Sequence, residues 1–264
     1  MIKMSRKILI AAALITGGAG PLGWMALHQP PPDLAQQILD AQAVLERART
    51  HHTVHYDPML NWLALPDVQD APARKTLFIA KMLPLIAEEN ERILSHRAVI
   101  EHGSADAAQI NALAYAYGLK AGASRTALLA RIDQIPESLA LAQAAIESAW
   151  GTSRFARDGH AYFGERTYDL SAPGLKPQRA SGFLVKSFPG TRASVRSFML
   201  TLNRHRAYAQ FRAHRAQGLT PSGLDLASNL HTYSEIGDAY IQLILITIRA
   251  NALSDFDGIH HVDH

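Results

Sequence analysis

The stretch Leu139-Ala-Leu-Ala-Gln-Ala-Ala-Ile-Glu-Ser-Ala-Trp-Gly151 constrains the fold of this chain more than any other segment. Ile135, Leu139, Ala142 and Ile146 recur at intervals of four, three and four. That period predicts a helix with one buried stripe, stopped by Gly151. Glu147 sits beside the stripe near the helix end. Beneath it on its own face are Gln143 and the small Ala140 and Ala144, which leave room above the helix. Trp150, three residues on, is expected to lean over the carboxylate. A carboxyl group held against an indole has its charged form disfavoured and its pKa raised, as a general acid for glycoside cleavage requires.

The rest of the chain divides into three parts. Lys3, Arg6 and Lys7 precede the uncharged stretch Ile8 to Leu27, and Pro30-Pro31-Pro32 ends any helix begun there. Residues 1–32 therefore read as a signal peptide or a retained membrane anchor, with the positive flank left in the cytoplasm and the remainder exported. Residues 33–70 read as a helix to Thr50 followed by a connecting segment. Residues 71–264 read as the main domain. Ala71 to about His102 is expected to be one long helix, with Pro72 in its first turn and Gly103 beyond its end. Two shorter helices are expected over 106–120 and 124–133, the second capped by Ser124.

From Glu165 to Phe188 the helical period is lost, Pro173, Gly174, Pro177 and Gly182 punctuate the chain, and Gly182 to Phe188 has strand character. This predicts a small hairpin lobe with a long tip. Helices resume over 191–203, 207–217 and 222–231. The last one, capped by Asp238 and nearly all apolar from Tyr240 to Ile248, is expected to be the buried centre of the C-terminal part. It would hold the turn Tyr233 to Gly237 in place. The fold class is mainly α.

With 26 basic and 23 acidic residues the net charge is only +3, and no basic-aromatic motif points to nucleic acid. The absence of cysteine removes disulfides, thiolate catalysis and thiolate metal sites. His51 and His55 have ligand spacing, but no acidic partner is fixed with them, so neither a metal nor a cofactor is expected.

The run Ile135 to Ala156 resembles the signature of the bacterial glucosaminidase family of glycoside hydrolases, in its Bax-like branch. The likeness extends to Phe163-Gly164, to Phe188 through Asn203, and to Tyr233-Ser-Glu-Ile-Gly-Asp-Ala-Tyr240. The resemblance implies a lysozyme-like helical catalytic domain that cuts β-1,4 bonds of N-acetylglucosamine in cell-wall peptidoglycan, outside the cytoplasm. It implies Glu147 as the acid and Tyr233 as a cleft tyrosine. Two other readings share the fold: a catalytically weak wall-binding or scaffold protein, and a muramidase or lytic transglycosylase.

The second catalytic group has three sources. Glu165 and Asp169 are the carboxylates of the hairpin region, and the substrate's own N-acetyl group is the third. Asp169 is a candidate for catalysis and Glu165 for contact with substrate, but both lie in a lobe rich in glycine and proline. Tyr233, held by the final helix, is expected to matter more than either. Gln143, Trp150, Tyr162 and Tyr168 are candidate substrate contacts, the two tyrosines by stacking on sugar faces. Relatives commonly carry two asparagines where His160-Ala161 stands here, so the loop after the acid needs another brace.

Overall fold

A computed structural model describes residues 33–56, 65–178, 182–217, 222–234 and 237–262. The expected signal or anchor in residues 1–32 lies outside them. Among the described residues no helix is long and apolar enough to cross a membrane. Asp33–His264 forms one compact unit, and it is mainly helical.

The first helix, α1 (Leu34–His51), starts at Asp33, whose side chain accepts the Gln36 N–H, and lies against α2 (Ala71–His102). The long helix α2 has the ends its sequence predicts. Asp70 caps it, Pro72 occupies the first turn, and Gly103 closes it in the left-handed conformation at φ 65°. Helices α3 (Ala107–Ala116) and α4 (Arg125–Leu129) follow, both shorter than their expected spans. Ser124 does cap α4, through the Ala127 N–H.

At the centre is α5 (Glu137–Ser148), packed against α2 and the last helix, α10 (Asp238–Ala250). Every residue from Glu137 to Ala145 is buried, so α5 is enclosed on all sides through most of its length. The sequence predicts one buried stripe with open room above Ala140 and Ala144. Both alanines are fully buried, so neighbouring elements fill that room. Small side chains let other elements approach closely: at Gly223, a Cβ would lie 2.1 Å from Ser138 Oγ. Ile146, expected in the stripe, is only half-buried because the enclosure opens towards the end of the helix.

No side chain of the local sequence caps α5. Distant groups do so instead. Asp257 accepts the Ser138 N–H and hydroxyl, both at 2.8 Å, and the Gly223 N–H at 3.2 Å. Asn90 of α2 donates to the Ile135 carbonyl and to Glu137 Oε1, and it accepts the Ile135 N–H. Glu137 Oε2 accepts the Gly258 N–H at 2.9 Å.

After α6 (Arg154–Gly159) comes a three-stranded antiparallel sheet rather than a simple hairpin. Its strands are β2 (Arg166–Thr167), β3 (Gly174–Leu175) and β4 (Leu184–Lys186), in the order β2-β4-β3. The chain doubles back once more than the strand pattern predicts, because Gly174 fits tightly beside β4, with the Val185 carbonyl 2.9 Å from where a Cβ would stand. Helix α7 (Thr191–Arg204) covers the expected range. The next two expected helices are broken into a 3-10 turn (Arg206–Tyr208) before α8 (Ala209–Arg215), and into α9 (Gly223–Leu226) before a second 3-10 turn (Ala227–Leu230).

Two expectations for α10 fail. Asp238 begins it without acting as a side-chain cap, since Gly237 occupies the cap position. Leu243 and Ile246 are 41% and 59% exposed, so α10 lies at the edge of the core and buries only the face carrying Tyr240, Ile244, Thr247 and Ile248. A two-residue strand, β1 (Thr53–Val54), also appears inside the expected connecting segment and pairs in parallel with β5 (His260–His261). A pair that short has too little periodicity to show in sequence.

Burial pushes the Glu137 carboxyl up to about 7 from an ordinary 4.5, against the opposing donors Gly258 and Asn90. The folded protein therefore holds this proton more tightly than the unfolded chain, so stability from this group is full below about pH 4.5 and declines as pH rises towards 7. The decline amounts to about 3 kcal/mol. Urea unfolding at pH 5 and pH 7.5 should show this loss in the wild type relative to Glu137→Gln, which cannot titrate there.

Candidate active site

The chain leaves α5 through three consecutive left-handed residues: Ala149, Trp150 and Gly151, at φ 51°, 56° and 78°. Two of them are not glycine, and such conformations each cost on the order of 1–3 kcal/mol unless their surroundings hold them. Ser148 secures the turn by donating to the Ala144 carbonyl and accepting the Gly151 N–H. The abrupt turn leaves Glu147, on the last turn of α5, half-buried at the wall of a cleft of about 730 Å³.

It also removes Trp150 from the acid. The indole packs edge-on against Phe78 of α2, with ring centres 5.4 Å apart, and Lys75 lies over its face. It is not among the residues that line the cleft with Glu147. The expectation that Trp150 leans over the carboxylate rests on continued helical geometry, and α5 ends two residues before it. Desolvation of Glu147 comes from the other walls of the cleft. Burial pushes the Glu147 carboxyl up, opposed by hydrogen bonding from Tyr240 and by the positive charge of Arg166.

The loop after α6 forms one wall. Gly164, at φ 62°, lies so close to the acid that a Cβ there would stand 2.7 Å from Glu147 Oε2. Tyr233 holds this loop: its hydroxyl donates to the Phe163 carbonyl at 2.7 Å. Phe163 is stacked on Phe198 of α7 at 4.0 Å, and the Tyr162 N–H donates to Ser194 Oγ. These contacts brace the loop that His160-Ala161 left in question. The Tyr233 ring faces the cleft, while its only hydroxyl proton is engaged by Phe163.

The lobe carboxylates separate. Asp169 is exposed and accepts the N–H and hydroxyl of Ser171, which hold its carboxyl below the usual range. It closes its own turn and does not line the cleft. Glu165 lines the cleft beside Glu147, and its side chain is only 9% exposed. Its Oε2 accepts from Lys186 of β4 at 3.2 Å, Ser197 at 3.0 Å and Thr201 at 3.4 Å, so it ties the lobe to α7. Its buried Oε1 has no hydrogen-bond partner among the described residues. The charges of Glu165 and Glu147 both add to the burial that pushes Tyr208 up to about 12.

Of the remaining candidates, Tyr168 lines the cleft, is 75% exposed and meets Phe183 edge-on. Tyr162 is buried against Phe78 and is part of the core. Gln143 is fully buried beneath the site, where its amide donates to the Tyr240 hydroxyl. Tyr240 itself is absent from the sequence-derived candidates, because its place in an apolar run reads as packing. A tyrosine seven residues after another, across the start of a helix, is the one signal that was available.

Replacing Gly164 by alanine adds a methyl where the acid stands and puts a side chain at positive φ. Thermal unfolding of Gly164→Ala should show a loss of about 1–3 kcal/mol. Glu147 is the group that must move to make room.

Residues 124–251 match the family described as mannosyl-glycoprotein endo-beta-N-acetylglucosaminidase, the Glucosaminidase family. The chain is 32% identical over 172 residues to Protein bax of Escherichia coli (strain K12), covering 58% of this chain and 61% of that relative. No solved structure matches it significantly. With Glu147, the glycine against it and the tyrosine-braced loop all inside the matched region, these likenesses support a Bax-like member of the glucosaminidase family.

Proposed function

We propose that this protein is an exported peptidoglycan hydrolase that cleaves β-1,4 bonds of N-acetylglucosamine in cell-wall glycan strands, with Glu147 as general acid. The observation that carries the reading is the state of Glu147: a carboxyl group with raised proton affinity, fixed at the open end of a helix enclosed through most of its length and facing an aromatic-walled cleft. The lysozyme-like character of the domain belongs to the same reading. Export rests on the positive flank and uncharged stretch of residues 8–27.

In this mechanism Glu147 gives its proton to the glycosidic oxygen as the bond to the anomeric carbon breaks. Asp169 closes its own turn and Glu165 Oε2 has three donors, which favours the third source of the second group. The substrate's acetamido oxygen bonds to the anomeric carbon as the leaving sugar departs. Water then attacks that carbon as its bond to the acetamido oxygen breaks and the acetamido group is regenerated, Glu147 takes the water's proton, and the acid is restored. Tyr233 contributes by holding Phe163 and Gly164 against the acid.

Digestion of purified sacculi with the protein, followed by mass spectrometry of the products, tests the reading. A new reducing N-acetylglucosamine end is expected; a reducing muramic acid end, an anhydro product or no release would replace it with a muramidase, a transglycosylase or a binding protein. Glu147→Gln should keep the fold and lose at least about 100-fold in rate. The wild-type rate should fall on the alkaline side at a pH above the usual glutamate range, since Glu147 acts protonated and burial holds its proton.

Tyr233→Phe leaves the buried Phe163 carbonyl without its donor, a cost of about 1–3 kcal/mol in stability. Its rate should fall by more than that of Asp169→Asn, whose surface change leaves stability within about 0.5 kcal/mol. Equal rates for these two variants would remove Tyr233 from the site.

A further inference from the structure

A carboxylic acid has two oxygens, and only a proton on the cleft side can reach a glycosidic oxygen. On the core side of Glu147, Gln143 lies one helical turn earlier on α5, fully buried. Its Nε2 donates to Tyr240 Oη at 3.3 Å, while its Oε1 has no hydrogen-bond partner among the described residues. A phenolic oxygen that accepts from an amide keeps its own proton available for another acceptor. Glu147 stands four residues after Gln143 on the same face of α5, which puts its carboxyl within reach of that phenol, and a hydrogen bond from Tyr240 favours the charged carboxyl. The ring that carries this hydroxyl is held: it is buried and stacks on Tyr233 at 5.6 Å with an interplanar angle of 6°. Tyr233 is in turn tied to Phe163.

We propose that Tyr240 is a positioning residue for the acid: Gln143 turns the Tyr240 hydroxyl towards Glu147, that hydroxyl donates to one carboxyl oxygen, and the catalytic proton is thereby confined to the other. The proposal rests on the reading of Glu147 as general acid. It also explains a polar, fully buried glutamine in a helix otherwise made of alanine and leucine at that depth. A leucine there would leave the phenolic proton free to turn away.

The other groups around the acid do not depend on Tyr240. Arg166 of β2 favours the charged form of Glu147, Lys186 of β4 is paired with Glu165, and Tyr208 and Tyr233 hold their protons well past neutral pH. His205 lies at the cleft wall in every variant considered. Removing the Tyr240 hydroxyl therefore isolates one contribution, which favours the charged form of Glu147 and whose loss raises the carboxyl further.

The test is a carbon NMR titration of the protein labelled at glutamate carboxyls, with Glu147 assigned as the resonance missing from Glu147→Gln. Tyr240→Phe should raise the Glu147 midpoint by about one pH unit, the size of a hydrogen bond to a charged group. Gln143→Met, which leaves the tyrosine ring packed, should raise it by less. On sacculi, Tyr240→Phe should lower kcat about tenfold with KM within about twofold, and the alkaline limb should move with the NMR midpoint. An unchanged or lowered midpoint in a folded Tyr240→Phe, or in Gln143→Met if the first does not fold, overturns the proposal. The NMR shift in a protein that cleaves nothing supports the hydrogen-bond relay and sinks the catalytic reading instead. Cleavage without the shift does the reverse.

Discussion

Everything at the site depends on the enclosure of one helix. α5 is buried on all sides from Glu137 to Ala145, and its first turn is held by groups remote in sequence: Asn90 on α2, and Asp257 and Gly258 near the C-terminus. A helix surrounded in this way cannot shift or rotate without breaking packing and buried hydrogen bonds together. Its far end therefore presents Glu147 from a fixed origin. Alanine and serine make this possible, since larger side chains would keep α9 and α10 from approaching.

Rigidity at one end is combined with strain at the other. The three left-handed residues after Ser148 end α5 abruptly, so the carboxylate is neither covered by a further turn nor left in bulk solvent. Burial then raises its proton affinity, while Tyr240 and Arg166 oppose that rise. The balance of these opposing effects, rather than contact with an indole, sets the state of the acid. The same cleft keeps Glu165 beside Glu147 without leaving it unpaired: Lys186, Ser197 and Thr201 hold one oxygen, and the lobe is fastened to α7 by the same contacts.

The loop opposite the acid shows how few interactions are needed to finish a site on such a frame. Tyr233 donates to Phe163, Phe163 stacks on Phe198, and the Tyr162 N–H finds Ser194. Gly164 then touches the acid because nothing but hydrogen fits between them. Tyr240 completes the chain of contacts from the core, since its ring supports Tyr233 and its hydroxyl meets both Gln143 and Glu147.

Local patterns in the sequence determined the helical class, the ends of α2, the cap of α4, the extent of α7 and the place of Glu147 at the end of a helix. Each follows from periodicity or from a residue acting on its immediate neighbours: Asp70 and Gly103 bound α2, and Ser124 starts α4. Tertiary structure decided what pairing across the chain decides. It placed Trp150 against Phe78 instead of Glu147, made a third strand at Gly174, turned Asp169 onto Ser171, and exposed Leu243 and Ile246 on a helix that reads as wholly buried. It also brought Tyr240 to the acid, 93 residues away in sequence, from within an apolar run. The reason is the same in each case: a residue's own neighbours set its backbone, but burial, proton affinity and hydrogen-bond partners depend on elements that meet only when the chain has folded.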